Sequence, residues 1–147
     1  MSGIPQVTKQ ASKTYTPAEN IVGGQLVEGR AGGAIGVAAA GSNKVLGVAL
    51  NDAQPPANLV TTPVTVNGRP VLNAAPLPTI VTVVGRGIEV PVRYSANASL
   101  GDKLVATAAG TVAPAGATPD ARQIVGTCTE PAGVVFATNP VGLMLTA

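Results

Sequence analysis

The chain has no histidine and no tryptophan, and only one phenylalanine, two tyrosines and one cysteine in 147 residues. Without histidine, the usual general base, the Ser–His pair and the commonest metal ligand are all missing. A lone cysteine excludes an intrachain disulfide and with it a disulfide-stapled secreted scaffold. Cys128 lies in the apolar run Ile124–Cys128 and reads as a small buried hydrophobe. Charge is also scarce, at 11 % of residues and a net +2, against roughly a quarter in ordinary domains. Arg30, Lys44, Arg69, Arg86, Arg93, Lys103 and Arg122 form no basic run, and Tyr15, Tyr94 and Phe136 make no stacking platform. Nucleic acid is therefore not an expected partner. The acids Glu19, Glu28, Asp52, Glu89, Asp102, Asp120 and Glu130 are too dispersed to suggest a carboxylate dyad or a calcium loop. Gly85-Arg86-Gly87 lacks the third glycine of a dinucleotide site and reads as a turn. Neither an enzyme nor a cofactor is expected. Met1–Glu19 has no apolar core of a signal peptide, and Ala31–Ala40 is broken by glycines and far short of the ~20 residues of a membrane span.

What is present is small and apolar. Hydrophobic residues make up 46 % of the chain and aromatics 2 %, so Val, Ala, Leu and Ile carry the core. Such a core buries less area per side chain than one built on Phe or Trp, and association is expected to supplement it. The periodicity is that of strands. Ile80–Val84 is a continuous apolar run. After the Gly85–Gly87 turn, Ile88, Val90, Val92 and Tyr94 alternate with Glu89, Pro91 and Arg93, which predicts a half-buried strand with the first set facing a core. Further strands are predicted at Gln25–Glu28, Ala34–Ala40, Lys44–Leu50, Leu104-Val105, Gln123–Thr129, Val134–Thr138 and Val141–Thr146. In Lys44–Leu50, Leu46, Val48 and Leu50 share one face. Ala106–Asp120 reads as irregular, and a short helix has room only in 31–40 or near 119–123. Gln54–Thr79 is punctuated by six prolines and holds Val64–Leu72, where Asn67-Gly68 between β-branched runs predicts a hairpin with positive φ at both turn residues. That hairpin is either a projecting contact device or simply a long loop. Residues 1–18 are polar, carry Lys9 and Lys13, and read as a flexible arm that takes order from a partner. The expected organisation is an arm at 1–18 and a single β domain at 19–147 with a Pro-rich hairpin insert at 54–79.

Two stretches echo one another. Gly23–Val27 (GGQLV) resembles Gly101–Val105 (GDKLV), and Val45–Val48 (VLGV) resembles Ile124–Thr127 (IVGT), at offsets of 78 (101 − 23) and 79 (124 − 45). Two similar β units pairing into one barrel would explain this. So would chance in a chain this rich in Gly, Val and Ala.

The order GGQLV, VLGVALNDA, VTVVGRGIEVPV, GDKLV, TAAGTV and IVGTCTEPA resembles the small capsid decoration, or cement, proteins of tailed bacteriophages. The matching positions are Arg86, Gly87 and Val92, then Gly101, Asp102 and Val105, then Ile124, Val125 and Gly126. The resemblance runs from about Gly23 to the end and leaves out the arm and the Pro-rich insert. It implies an all-β fold, a compact β-barrel or β-sandwich, on the outer surface of the virion capsid, assembled in the host cytoplasm. It implies a homotrimer that binds the major capsid protein and clamps neighbouring subunits. The candidate contact residues are Lys9, Lys13 and Tyr15 in the arm, Asn67, Gly68 and Arg69 at the hairpin tip, and Arg86. A competing reading is a phage tail or surface-adhesion module that recognises protein or carbohydrate. Scarce Trp and Tyr count against sugar stacking.

Overall fold

Short β-branched runs separated by glycine and proline turns give strands, and the computed structural model, which describes residues 12–60, 62–71 and 76–147, contains twelve of them. They are β1 (Ser12–Tyr15), β2 (Leu26–Gly29), β3 (Ile35–Val37), β4 (Val45–Ala49), β5 (Val64–Val66), β6 (Arg69–Val71), β7 (Val81–Val84), β8 (Glu89–Arg93), β9 (Lys103–Ala106), β10 (Val112–Pro114), β11 (Ile124–Cys128) and β12 (Val141–Thr146). The fold is all-β. Two five-stranded antiparallel sheets, β1-β7-β4-β2-β3 and β10-β9-β11-β12-β8, make a β-sandwich, and β5-β6 is a separate hairpin. Among the described residues there is no α-helix, and the two stretches with room for one hold single 3-10 turns, Ala31–Gly33 and Ala121–Gln123.

The two sheets are built alike. Matching β1 to β8, β2 to β9, β3 to β10, β4 to β11 and β7 to β12 turns one strand order into the other. The single-residue bridges repeat as well. Pro17 pairs with Ile35 in parallel, and 77 residues on (94 − 17 and 112 − 35) Tyr94 pairs with Val112 in the same way. These parallel bridges curl each sheet towards closure. Ile21–Ala53 and Ala98–Val134 are a second matched pair, both antiparallel. Each unit opens β2 or β9 with the same turn: the Gln25 side chain accepts the Val22 N–H at 2.8 Å, and the Asp102 carboxylate accepts the Ser99 N–H at 2.8 Å. The glycine of that turn has φ of 84° at Gly24 and 91° at Gly101, where an L side chain is strained. So many coincidences of position make the sequence echo an internal duplication. The insert carrying β5 and β6 occupies in the first unit the place that the β11–β12 connection holds in the second.

Alternation divides each strand between two environments. Leu26 and Val48 join Val90, Val92, Tyr94, Leu104, Val112, Cys128 and Met144 in the larger core. Their neighbours Val27 and Ala49 point the other way, into a second core with Ile21, Ile35, Ala53, Val81 and Val83. The first sheet is thus buried on both faces. The β8 pattern is as expected, with Val90 4 %, Val92 0 % and Tyr94 1 % exposed and Glu89, Pro91 and Arg93 outside; Ile88 is half-buried. The Gly85–Gly87 turn carries the chain from one sheet to the other. The Thr146 hydroxyl pins it, donating to Gly85 O at 2.7 Å and accepting from Ile88 N–H at 3.0 Å.

Several expectations need correction. Ser12–Tyr15 is no part of a free arm: it pairs with β7 over four residues, and the Ala18 N–H reaches Ile35 O at 2.8 Å. The boundary drawn at residue 18 therefore falls inside the sheet, and residues 1–11 lie outside the described residues. In β4, Leu46 and Leu50 are exposed although Val48 is buried. Val27 faces Gly47 and Glu28 faces Val45, so Leu46 is the extra residue of a bulge, and Leu50 lies past the strand end. Val134–Thr138 is not a strand. Val134 makes one bridge to Ala98, and the chain then turns, with Thr138 and Asn139 N–H groups bonded to Val135 O. Ala106–Asp120 is more regular than expected, since it contains β10.

Candidate interaction surfaces

The candidate contact residues fall into three separate places. On the edge strand β1, Lys13 Nζ lies 5.3 Å from the centre of the Tyr15 ring, and Tyr15 packs against the second core. The ring is thereby held, and it carries a cation on its face. Pairing of Ser12 with Val84 puts the start of β1 at the same end of the sheet as Arg86, two residues beyond Val84. Arg86 and Arg122 line a pocket of about 40 Å³ with Leu26, Val45, Leu46, Thr146 and Ala147. Arg122 is held by Asp120 at 2.9 Å. Lys9 lies outside the described residues.

The third place is the hairpin. Asn67 and Gly68 have φ of 50° and 75°, the two positive values that an Asn-Gly turn needs, and Arg69 follows at the tip. Val64 pairs with Val71 and Val66 with Arg69. Paired residues share a face, so Val64, Val66, Val71 and Arg69 lie together while Thr65 and Pro70 lie on the other side. The valines are 61 %, 51 % and 46 % exposed. An isolated two-stranded hairpin is marginal in water. This one keeps its apolar face uncovered within the chain.

Sequence reasoning missed a fourth surface. The β11–β12 connection and the turn before β9 form a groove of two adjoining hollows, about 440 and 310 Å³. Both include Ala132, Gly133, Val134 and Val135; Leu100 borders one, Glu130 and Val141 the other. Leu100, Val135, Phe136 and Val141 are 43–61 % exposed. The Phe136 N–H is fixed to Asn97 Oδ1 at 2.9 Å, and Glu130 accepts the Leu143 N–H at 3.3 Å. Reading Val134–Thr138 as a strand hid this loop. The chain's single phenylalanine between Pro131 and Pro140 was the available signal.

Ionisable groups inside the fold serve structure. Glu28 is 6 % exposed and pairs with Arg30, which also reaches Glu19 and donates to Val37 O at 2.9 Å. The nearby Ser42 hydroxyl and then the Ala39 N–H, Arg30 and Lys44 hold the Glu28 carboxyl below the usual range, against the opposing effect of burial. Burial pushes the Tyr94 phenol well above its usual range, and its hydroxyl donates to Leu143 O at 3.0 Å. Among the described residues no three His, Cys, Asp or Glu side chains are grouped to hold a metal.

Fold and surface together define a two-sheet β domain with several exposed apolar side chains. A solved structure with this fold is the head fibre gp8.5 N base of bacteriophage phi29, similar over 92 % of each chain with a TM-score of 0.55 and 16 % sequence identity. No family model matches the chain, and no curated protein matches it in sequence.

Proposed function

We propose that this chain is a structural protein of a phage virion that binds the outer surface of the head, with the major capsid protein as its partner. The observation that carries this reading is likeness to a head fibre base along nearly the whole of both chains. The surfaces agree with it, since they expose apolar side chains and carry few charges, as the cores of protein contacts do. The protein works by binding alone, as a homotrimer, and needs no cofactor. It stabilises the head by clamping neighbouring capsid subunits. Lys9, Lys13, Tyr15 and Arg86 face the capsid, with Tyr15 as the rigid anchor and the bases steering approach. Asn67, Gly68 and Arg69 form a second contact, with a neighbouring copy in the trimer.

Clamping has a direct test. Heads lacking the protein are heated with and without it, and DNA release is followed by dye fluorescence. Saturating protein raises the release temperature. An unchanged release temperature on fully decorated heads refutes the clamp and leaves attachment standing.

A further inference from the structure

We propose that the valine face of the β5-β6 hairpin docks into the Leu100–Val134–Val135 groove of a second copy of this chain. The inference deepens the homo-oligomer part of the reading above and names the two surfaces that make it.

Three observations converge. First, the hairpin face is apolar with one cation, Val64, Val66 and Val71 beside Arg69. The groove presents Leu100, Val134, Val135 and Val141 among polar groups, with one anion at its border, Glu130. None of the three ion pairs among the described residues involves Arg69 or Glu130. Each surface thus offers the charge that the other lacks. Second, the chain does not satisfy these surfaces itself. Val64, Val66 and Val71 are about half exposed, as are Val135 and Phe136, so the hairpin is not seated in its own groove. Third, the duplication relates the two. The hairpin grows from the β4–β7 connection, beyond Ala53, and the groove is built on the matching β11–β12 connection, beyond Val134. Projection and receptor therefore sit at equivalent positions of the two halves. A contact between unlike surfaces runs head to tail and closes into a ring if the rotation permits.

The groove does not touch Lys13, Tyr15 or Arg86, so a ring made this way leaves the β1 surface open for the head. Ordering of the hairpin by its neighbour also accounts for a two-stranded element that its own chain leaves unsupported.

The test is the association state of the purified full chain, without heads, by sedimentation equilibrium. The wild type associates. Arg69→Glu weakens association about tenfold or more by placing like charges together. Glu130→Arg does the same, and the double exchange restores association. Since Glu130 also holds the Leu143 N–H, Val66→Asp serves as a second variant: its side chain is exposed in the single chain, so the melting curve stays put while association falls. A cysteine pair, Val66→Cys with Val135→Cys, gives covalent ladders longer than a dimer on oxidation, and neither single variant does. A wild type that stays monomeric at high concentration overturns the proposal. So does an oligomer indifferent to Arg69→Glu and Val66→Asp; if those variants instead lose only head binding, the hairpin's occupant is the capsid. Head attachment is measured separately and can stand when this inference falls.

Discussion

Replacing Gly126 by alanine tests the packing between β11 and β12. A Cβ at this position would lie 2.6 Å from Leu145 O and 2.6 Å from Met144 Cγ. The Met144 side chain can shift, but Leu145 O belongs to the backbone. Ordinary contact begins near 3.4 Å, so β12 must retreat by about 0.8 Å. That strand pairs with both β11 and β8 and carries the fully buried Met144. Overpacking of this kind costs about 1–3 kcal/mol, and a weakened ladder hydrogen bond adds about 1 kcal/mol. A loss of about 3 kcal/mol is a large share of the roughly 5–15 kcal/mol that holds a domain together. For a chain of this size it lowers the melting temperature by about 6–12 °C. Gly47, the matching residue of the first unit, behaves alike, because its Cβ would overlap Val84 O. Gly85 is the control: no atom within 4 Å would meet its Cβ. Circular dichroism melting of Gly126→Ala, Gly47→Ala and Gly85→Ala decides the matter. A Gly126→Ala protein that melts within about 2 °C of the wild type refutes the close approach.

Val90→Asp places an unpaired charge in the larger core and is expected to cost about 3 kcal/mol or more, read as a fall in the urea midpoint; an unshifted midpoint contradicts the strand assignment. Glu28 has a folded-state pKa below its ordinary 4.5, so its stabilisation is present above that value and is lost as pH falls through the folded pKa. The wild type therefore loses stability between pH 5 and pH 3 faster than Glu28→Gln does, and equal slopes in that window contradict the account. Deleting residues 1–18 removes β1 and the Pro17–Ile35 bridge and should lower the melting temperature by more than 5 °C, on the scale of about 2–4 °C for each kcal/mol.

The elements legible from sequence were those whose signals are local. Strict alternation from Ile88 to Tyr94 found β8 and three of its inward residues, and Asn67-Gly68 found the hairpin. The echo between GGQLV and GDKLV pointed to the duplication, because a glycine-led turn and the strand after it recur together. Long-range pairing was invisible. β1 reads as polar arm since Ser12, Lys13 and Thr14 bury little, and only the ladder to β7 makes it a strand. One extra residue at Leu46 turned an alternating pattern outward, which periodicity cannot anticipate. The groove went unseen for a related reason: apolar residues in a loop mimic a strand until their hydrogen bonds are known. Of the candidate contacts, the structure joins Lys13 to Tyr15 and brings Arg86 to the same end of the sheet. It sets the hairpin tip apart from both.

Attachment to the head is tested most directly by sedimentation. Tailed-phage heads from the source virus that lack this protein are mixed with increasing amounts of the purified chain, pelleted and assayed for bound copies. The account predicts saturable binding at a fixed number of copies per head. It also predicts that Lys13→Glu combined with Arg86→Glu weakens binding more at low salt than at high salt, because exposed charges are screened beyond about 10 Å at 0.1 M. Heads that pellet without the protein at any concentration contradict it.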